Sequence, residues 1–226
     1  MAGKLAKPKT ARTALDREVI VEAALRLATR PHALSLTYRE LGRELSVDPT
    51  AIYRHFQSKE VLMQELLDRA FGMIRARTTA PATSWEACLM ELAESTLDVF
   101  IEHPAIGITA TSLTTGGPGE MACIELMLSC FSEAGLRGQG LAEQYAIFGS
   151  YSLAGAAGLA MDHAEAAGSS TAEWFVGPLM SDPASHPLTS SLRNDIMALN
   201  HREMFLAGIK QLVTAAKDRA QGQTVP

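Results

Sequence analysis

Residues 36–56, LTYRELGRELSVDPTAIYRHF, constrain the fold more than any other stretch, because they specify two short helices joined by a tight turn. Leu41 and Leu45 recur at i, i+4 and give the first helix a buried side, while Ser46 and Val47 supply the turn. Asp48 suits the N-cap, and Pro49 suits the first helical position, where its missing N–H leaves no hydrogen bond unmade. Ile52 and Phe56 then form the inward stripe of the second helix. Pro49, Thr50, Ala51, Tyr53, Arg54 and His55 are left on faces that can meet a DNA groove. Thr37, Tyr38 and Arg39 at the start of the first helix, with Lys59 beyond the second, complete the candidate DNA-binding set.

The flanks supply what such a helix pair needs for a core. Residues 14–29 place Ile20, Ala23, Ala24 and Leu27 at helical spacing, and Ser58 caps a further helix beginning at Lys59. Charge is divided in the same sense. Residues 1–77 carry 14 Lys+Arg against 9 Asp+Glu, whereas the remaining 149 carry 6 against 16. The first third is therefore +5 and the rest −10, as expected of a nucleic-acid-facing head on an acidic body. Lys4, Lys7, Lys9 and Arg12 lie in a polar stretch without apolar period, read as a disordered basic arm over residues 1–13, either folding against the minor groove or simply solvated. The arm has no apolar h-region of a secretory signal, so the expected location is cytoplasmic.

Residues 14–70 resemble the DNA-binding domain of the tetracycline-repressor (TetR) family of one-component bacterial regulators. The resemblance is carried by Thr37 opening the second helix, Leu41, Val47, the Ile52-Tyr53-x-His55-Phe56 run, and Lys59 followed by Leu62. Gly42 and Ser46 depart from it, standing where the family usually has Ala and Gly. Gly42 costs about 1 kcal/mol of helix propensity relative to Ala, and Ser46 has to adopt the turn without glycine. The resemblance implies an all-α protein: a three-helix helix-turn-helix domain with its connecting helix over residues 14–76, and a larger helical ligand-binding and dimerisation domain over 77–226. It also implies a homodimer built from two helices per subunit. Two such heads related by a dyad read a palindrome with half-sites about 34–36 Å apart. Lys59, Thr37 and Tyr53 would meet phosphates, and Arg39, Thr50, Ala51, Arg54 and His55 base edges. Arg39 matches the O6/N7 acceptor pair of guanine. His55 equally suits a phosphate, and the Tyr53 ring equally suits packing across the helix junction.

Beyond residue 76, Gly and Pro fall at breaks that leave helix-length segments near 84–102, 105–113, 119–134 and 140–167, an irregular 170–187, and one long helix near 189–220. The N-terminal helices fall near 16–29, 37–45, 49–56 and 59–76. Trp85 after Ser84, the Phe100-x-x-His103-Pro104 break and the small-residue helix beyond weakly resemble the family's ligand-binding region. Met90, Phe100, His103, Met127, Phe131, Phe148 and Ser152 are the candidate pocket residues for a small apolar ligand, each residue being equally readable as ordinary core. Aligned on Trp85, the drug-contacting positions of the tetracycline repressor fall on Arg75, Leu92, Thr96 and Ala110, none suited to a metal-chelated drug. Ser150, Ala154 and Gly158 form a small-residue stripe, as do Ser152, Ala156 and Ala160. With Phe205, Ile209 and Leu212 of the last helix, the first stripe is the candidate dimer interface, an intramolecular core being the alternative.

Other function classes find little support. The uncharged run 145–161 is at the short limit for a membrane span and is dominated by Gly, Ala and Ser, so no membrane partner is expected. Three cysteines suggest free thiols; Cys123 and Cys130 at i, i+7 lie about 10.5 Å apart by helical rise, beyond disulfide reach. Cys and His spacings match no zinc site, and no HExxH, GxSxG or phosphate-loop pattern occurs, so neither cofactor, metal nor enzymatic activity is expected. The reading is a ligand-responsive regulator, most simply a repressor, that grips a palindromic double-stranded DNA operator as a homodimer. The rival is a ligand-binding or protein-interaction module without sequence-specific DNA binding.

Overall fold

A computed structural model describes residues 15–30, 33–165 and 182–223. Those residues form α-helices and their connections: α1 (Arg17–Ala28), α2 (Tyr38–Leu45), α3 (Pro49–Tyr53), α4 (Lys59–Arg77), α5 (Trp85–Glu102), α6 (Pro104–Gly107), α7 (Pro118–Glu133), α8 (Gly138–Glu165), α9 (Pro187–Met197) and α10 (His201–Gln223). A single 3₁₀ turn, Ala82–Ser84, leads into α5. The basic arm and most of the irregular 170–187 segment lie outside the described residues.

The first three helices close around Ile20, Ala24, Leu27, Leu41, Ile52 and Phe56, all buried, as the apolar periods require. Their starts are capped by side chains. Asp16 accepts from the Val19 N–H, Asp48 from the Thr50 N–H and Ser58 from the Val61 N–H. Thr37 makes a full capping box with Glu40, each side chain accepting from the other's backbone N–H. Arg17 is an unforeseen fastener. Its guanidinium lies 4.2 Å over the Phe56 ring, donates to the His55 carbonyl at 3.1 Å and pairs with Glu65 at 2.9 Å, tying α1 to the end of α3 and to α4.

Helix α4 leaves this head and runs into the second body, where α5, α6 and α7 pack against it, α8 packs on α5 and α7, and α10 closes the far side against α5 and α8. Leu66, Leu67 and Ala70 are buried on α4, as are Leu89, Leu97 and Phe100 on α5 and Phe131 and Phe148 on α7 and α8. At Gly119, the first turn of α7 presses so closely on the backbone of Asp68 that a Cβ there would overlap it. Glycine is what allows α7 to lie against α4.

Several expected bounds shift. Helix α3 ends at Tyr53 rather than 56, although the amides of His55 and Phe56 still reach the Ile52 carbonyl and return Phe56 to the core. The 105–113 helix is only Pro104–Gly107 followed by turns, in which Thr109 and Ser112 donate their hydroxyls to backbone carbonyls three residues back. The long final helix is two. Asn200 breaks it, its side chain accepting from the Glu203 N–H and starting α10 anew. Helix α9 buries none of its residues, and Leu188, Leu192 and Met197 stand exposed. Among the described residues no helix is long and apolar enough to cross a membrane.

Candidate nucleic-acid interface and ligand cavity

The turn between α2 and α3 is built from the two residues that depart from the family pattern. Ser46 adopts a left-handed conformation, φ 53° and ψ 41°, and the Val47 N–H donates to the Gly42 carbonyl at 2.9 Å. A Cβ on Gly42 would lie 2.9 Å from the Val47 carbonyl oxygen and 3.1 Å from Pro49 Cγ. The missing methyl is thus where the two helices meet, and the apparent propensity defect is a packing requirement.

The resulting surface carries Thr37, Arg39, Thr50, Tyr53, Arg54 and Lys59 exposed, with Pro49, Ala51 and His55 half-buried. Thr50 is pre-oriented, its N–H and hydroxyl both donating to the Asp48 carboxylate at 2.8 and 2.6 Å, which holds that carboxyl below its usual range. Thr37 spends its hydroxyl on Glu40. Tyr38 has to be corrected. Only 8 % exposed, it donates its hydroxyl to the Phe56 carbonyl at 3.3 Å, and Tyr53 covers it edge-on with ring centroids 4.5 Å apart. It positions the surface from beneath rather than lying on it. Tyr53 packs against Tyr38 across the helix junction, the structural alternative the sequence allowed, and remains 54 % exposed.

In the second body, residues of α4, α5, α7 and α8 line a partly open cavity of about 330 Å³. Phe71 and Ile74 of α4 form part of its wall, facing Leu92 and Thr96 of α5, Glu120, Cys123 and Met127 of α7, and Tyr145, Phe148 and Ser152 of α8. Of the expected pocket residues, Met127, Phe148 and Ser152 line it. Phe100, His103, Phe131 and Met90 do not, and the reasons are local. Phe100 packs against Phe71 behind the wall, with ring centroids 6.5 Å apart. Buried His103 spends Nδ1 on the Val99 carbonyl at the end of α5, Phe131 packs edge-on to Phe148, and Met90 sits part-buried against the core. Leu92 and Thr96, aligned by resemblance with drug contacts, do line the cavity, whereas Arg75 is turned to the Thr78 carbonyl and Ala110 lies elsewhere.

Two features of the cavity were not read from the sequence. Ser152 is 5 % exposed and its Oγ has no hydrogen-bond partner. Glu120, on the wall, also fastens the loop ahead of α7: one carboxylate oxygen accepts from Thr115 N–H, Thr115 Oγ1 and Gly116 N–H at 2.7, 2.8 and 2.6 Å. Thr115 Oγ1 lies 3.1 Å from an Asp68 oxygen, which also accepts from the Glu120 N–H at 2.9 Å. The cavity wall is thereby tied to α4 by hydrogen bonds as well as by packing.

The dimer candidates separate into two groups. Ser150 and Ala154 are exposed and Gly158 faces open space, on the same outer side as exposed Ile147, Tyr151 and Met161. Phe205 and Ile209, in contrast, are buried within the chain. Phe205 fills the notch at Gly155 and stacks on Tyr151 at 5.9 Å, and the half-buried Leu212 segment accepts from Gln144 at 3.1 Å. For Phe205 and Ile209 the intramolecular alternative holds, because α10 needs them to seat itself on α5 and α8. Of the second small-residue stripe, Ala156 and Ala160 are buried in the core, while Ser152 lines the cavity.

A capped helix pair around a serine turn, mounted on a third helix and leading into a cavity-bearing helical body, defines a helix-turn-helix protein with a second, larger helical body. Residues 20–66 match the model of the bacterial regulatory proteins of the tetR family. Among curated proteins, a helix-turn-helix-type transcriptional regulator of Saccharopolyspora erythraea is 26 % identical over 121 residues, covering 54 % of this chain and 51 % of its own. The helix-turn-helix-type transcriptional repressor DrrR1 of Streptomyces coeruleorubidus is 29 % identical over 122 residues, covering 54 % and 44 %. The chain spans about half the length of the curated relatives it matches. Its fold as a whole is that of the Streptomyces coelicolor TetR family protein ActR in complex with actinorhodin. That structure covers 92 % of this chain and 99 % of its own, with a TM-score of 0.75 at 20 % identity.

Proposed function

We propose that the protein is a ligand-responsive transcriptional repressor that binds a palindromic operator as a homodimer. In this reading residues 14–76 hold the DNA and 77–226 sense the ligand and dimerise. The observation that carries it is the position of α4, which is capped by Ser58 beside the helix-turn-helix and supplies Phe71 and Ile74 to the cavity wall. Arg39, Thr50, Ala51, Arg54 and His55 read base edges, with Arg39 on guanine; Tyr53 and Lys59 hold phosphates, and Thr37, its hydroxyl spent on Glu40, caps the helix beside them. A second copy covers Ile147, Ser150, Tyr151, Ala154 and Gly158 of α8, bringing two recognition helices onto successive major grooves about 34–36 Å apart.

Release follows from differential affinity. A ligand wedged between α4 and α8 favours the arrangement in which α4 has moved, and about 1–3 kcal/mol of such preference is ordinary coupling. That ActR is solved with actinorhodin and DrrR1 is named a repressor supports the sensing and the sign. The test is selection from a random DNA pool, followed by salt titration on the selected sequences. Enrichment of a palindrome with half-sites one turn apart is expected. Arg39→Ala should then weaken the selected site more than random DNA, and Lys59→Ala should weaken both while flattening the salt slope. No enrichment, with binding that vanishes uniformly as salt rises, would refute operator recognition and leave the ligand-binding module.

A further inference from the structure

The cavity has a definite chemical character, set by what lines it. Among the described residues that line it, Glu120 is the one that carries a charge, and no Lys, Arg or His is among them. Arg75, on the same helix as Phe71 and Ile74, is turned away to the Thr78 carbonyl. Three donors occupy one oxygen of the Glu120 carboxylate, which leaves the other to accept from an occupant. Across the cavity the Ser152 hydroxyl is 95 % buried without a partner, an arrangement that costs free energy until something in the cavity bonds it. Aromatic rings from two helices, Phe71 of α4 and Tyr145 and Phe148 of α8, supply flat apolar walls. The Cys123 thiol adds no charge, since burial pushes its pKa up to about 12.

An anion placed here would face Glu120, while the cation felt at the cavity wall, Arg75, is exposed to solvent and bonded to the Thr78 carbonyl, where water screens it. A cation meets the opposite condition and also the negative faces of the rings. A volume of about 330 Å³ sits at the small end of ligand pockets and admits roughly two or three fused rings. We propose that the ligand is a compact aromatic cation bearing N–H donors, with Glu120 as its counter-charge and Ser152 as its second polar contact. This rests on the ligand-sensing reading above and narrows it to one chemical class. Glu120 is then the specificity-determining residue, and because it also fastens Thr115 and Gly116 beside Asp68, it is the point where occupancy touches the α4 joint.

The test uses two size-matched fluorescent probes on the nucleic-acid-free full chain: 9-aminoacridine, a cation at neutral pH, and 9-anthracenecarboxylate, an anion. Saturable binding of the cation is expected, with the anion weaker by about tenfold or more, the span of one charge-assisted hydrogen bond. Glu120→Gln should remove most of that difference and Ser152→Ala should weaken the cation further, each with unchanged helix content. Equal affinity for the two probes, or a Glu120→Gln variant that holds the cation as tightly as before, would overturn the charge assignment while leaving a ligand cavity in place. Failure of both probes to bind the unaltered chain would overturn the assignment and count against the ligand-sensing reading as well.

Discussion

Gly42→Ala sets two physical effects against each other at one atom. Helix propensity favours alanine in the middle of α2 by about 1 kcal/mol. The added Cβ, however, would lie 2.9 Å from the Val47 carbonyl oxygen and 3.1 and 3.2 Å from Pro49 Cγ and Cδ. None of those atoms is the end of a flexible side chain. The Val47 carbonyl belongs to the turn whose own N–H is bonded to Gly42, and Pro49 is locked as the first residue of α3. Relief therefore means moving α3 off α2, and overpacking of this kind costs about 1–3 kcal/mol. The overlap outweighs the propensity, leaving a net loss of about 1 kcal/mol. In urea, with a slope of about 1–3 kcal/mol per M, that lowers the unfolding midpoint by roughly 0.3–1 M. Far-UV circular dichroism against urea on the two proteins, side by side, measures it. A midpoint that rises for Gly42→Ala would refute the claim that close approach, and not tolerance, explains the glycine.

The complementary change, Ser46→Gly, should stabilise. A left-handed L-residue costs about 1–2 kcal/mol, partly offset by about 0.4–1 kcal/mol of extra freedom for glycine in the unfolded chain, so a gain of about 0.5–1 kcal/mol is expected in the same urea assay. Glu91 accepts from Ala80 N–H, Thr79 Oγ1 and Thr79 N–H, which hold its carboxyl below the usual range, the Ala80 contact foremost. A pKa depressed by folding stabilises above the unfolded value and is lost as pH falls through the folded one. Melting temperature should therefore drop on acidification below the ordinary carboxylate range, and Glu91→Gln should flatten that drop; parallel curves for the two proteins would contradict it. Cys88, Cys123 and Cys130 are buried, and desolvation raises all three thiol pKa values. Ellman's reagent at pH 8 should leave the three unreacted in the folded protein and titrate them on unfolding.

How far the sequence could be read depended on whether a feature was local. Caps, turn and apolar stripes of the N-terminal helices are decided within four or five residues, so Thr37, Asp48, Pro49 and Ser58 appear in the structure in the roles their residue types suggest. Tyr38 failed because its burial depends on Tyr53, fifteen positions away, folding over it. Asn200 carried a local N-cap signal that the continuous apolar period on either side masked. The cavity was the least legible part. Whether Phe100 or Phe148 faces it, and whether Ile209 faces a second copy or the chain's own α8, is settled by how α5, α8 and α10 rotate against one another, which no spacing within one helix encodes. Glu120 gave no apolar period and no motif; its meaning lies in a loop from α7 and a carboxylate on α4 that meet only in the folded chain.

The placement of contacts along α4 bears on how such a protein transmits a signal. Glu65 and Arg69 pair with Arg17 and Glu18 of α1, the Arg69–Glu18 pair through two hydrogen bonds, while Asp68, Phe71 and Ile74 serve the loop and the cavity. From Glu65 to Ile74 a helix rises only about 14 Å, under three turns, too short a length to bend appreciably without a proline or a bulge. The cavity contacts and the head contacts interleave on that one rigid segment. A displacement of Phe71 by an occupant cannot be absorbed within α4, and must appear at Arg17, which also holds the His55 carbonyl and the Phe56 ring at the end of the recognition helix. Under the proposed ligand response, this geometry offers a route to α3 through α1 and Arg17 as well as through the amino end of α4.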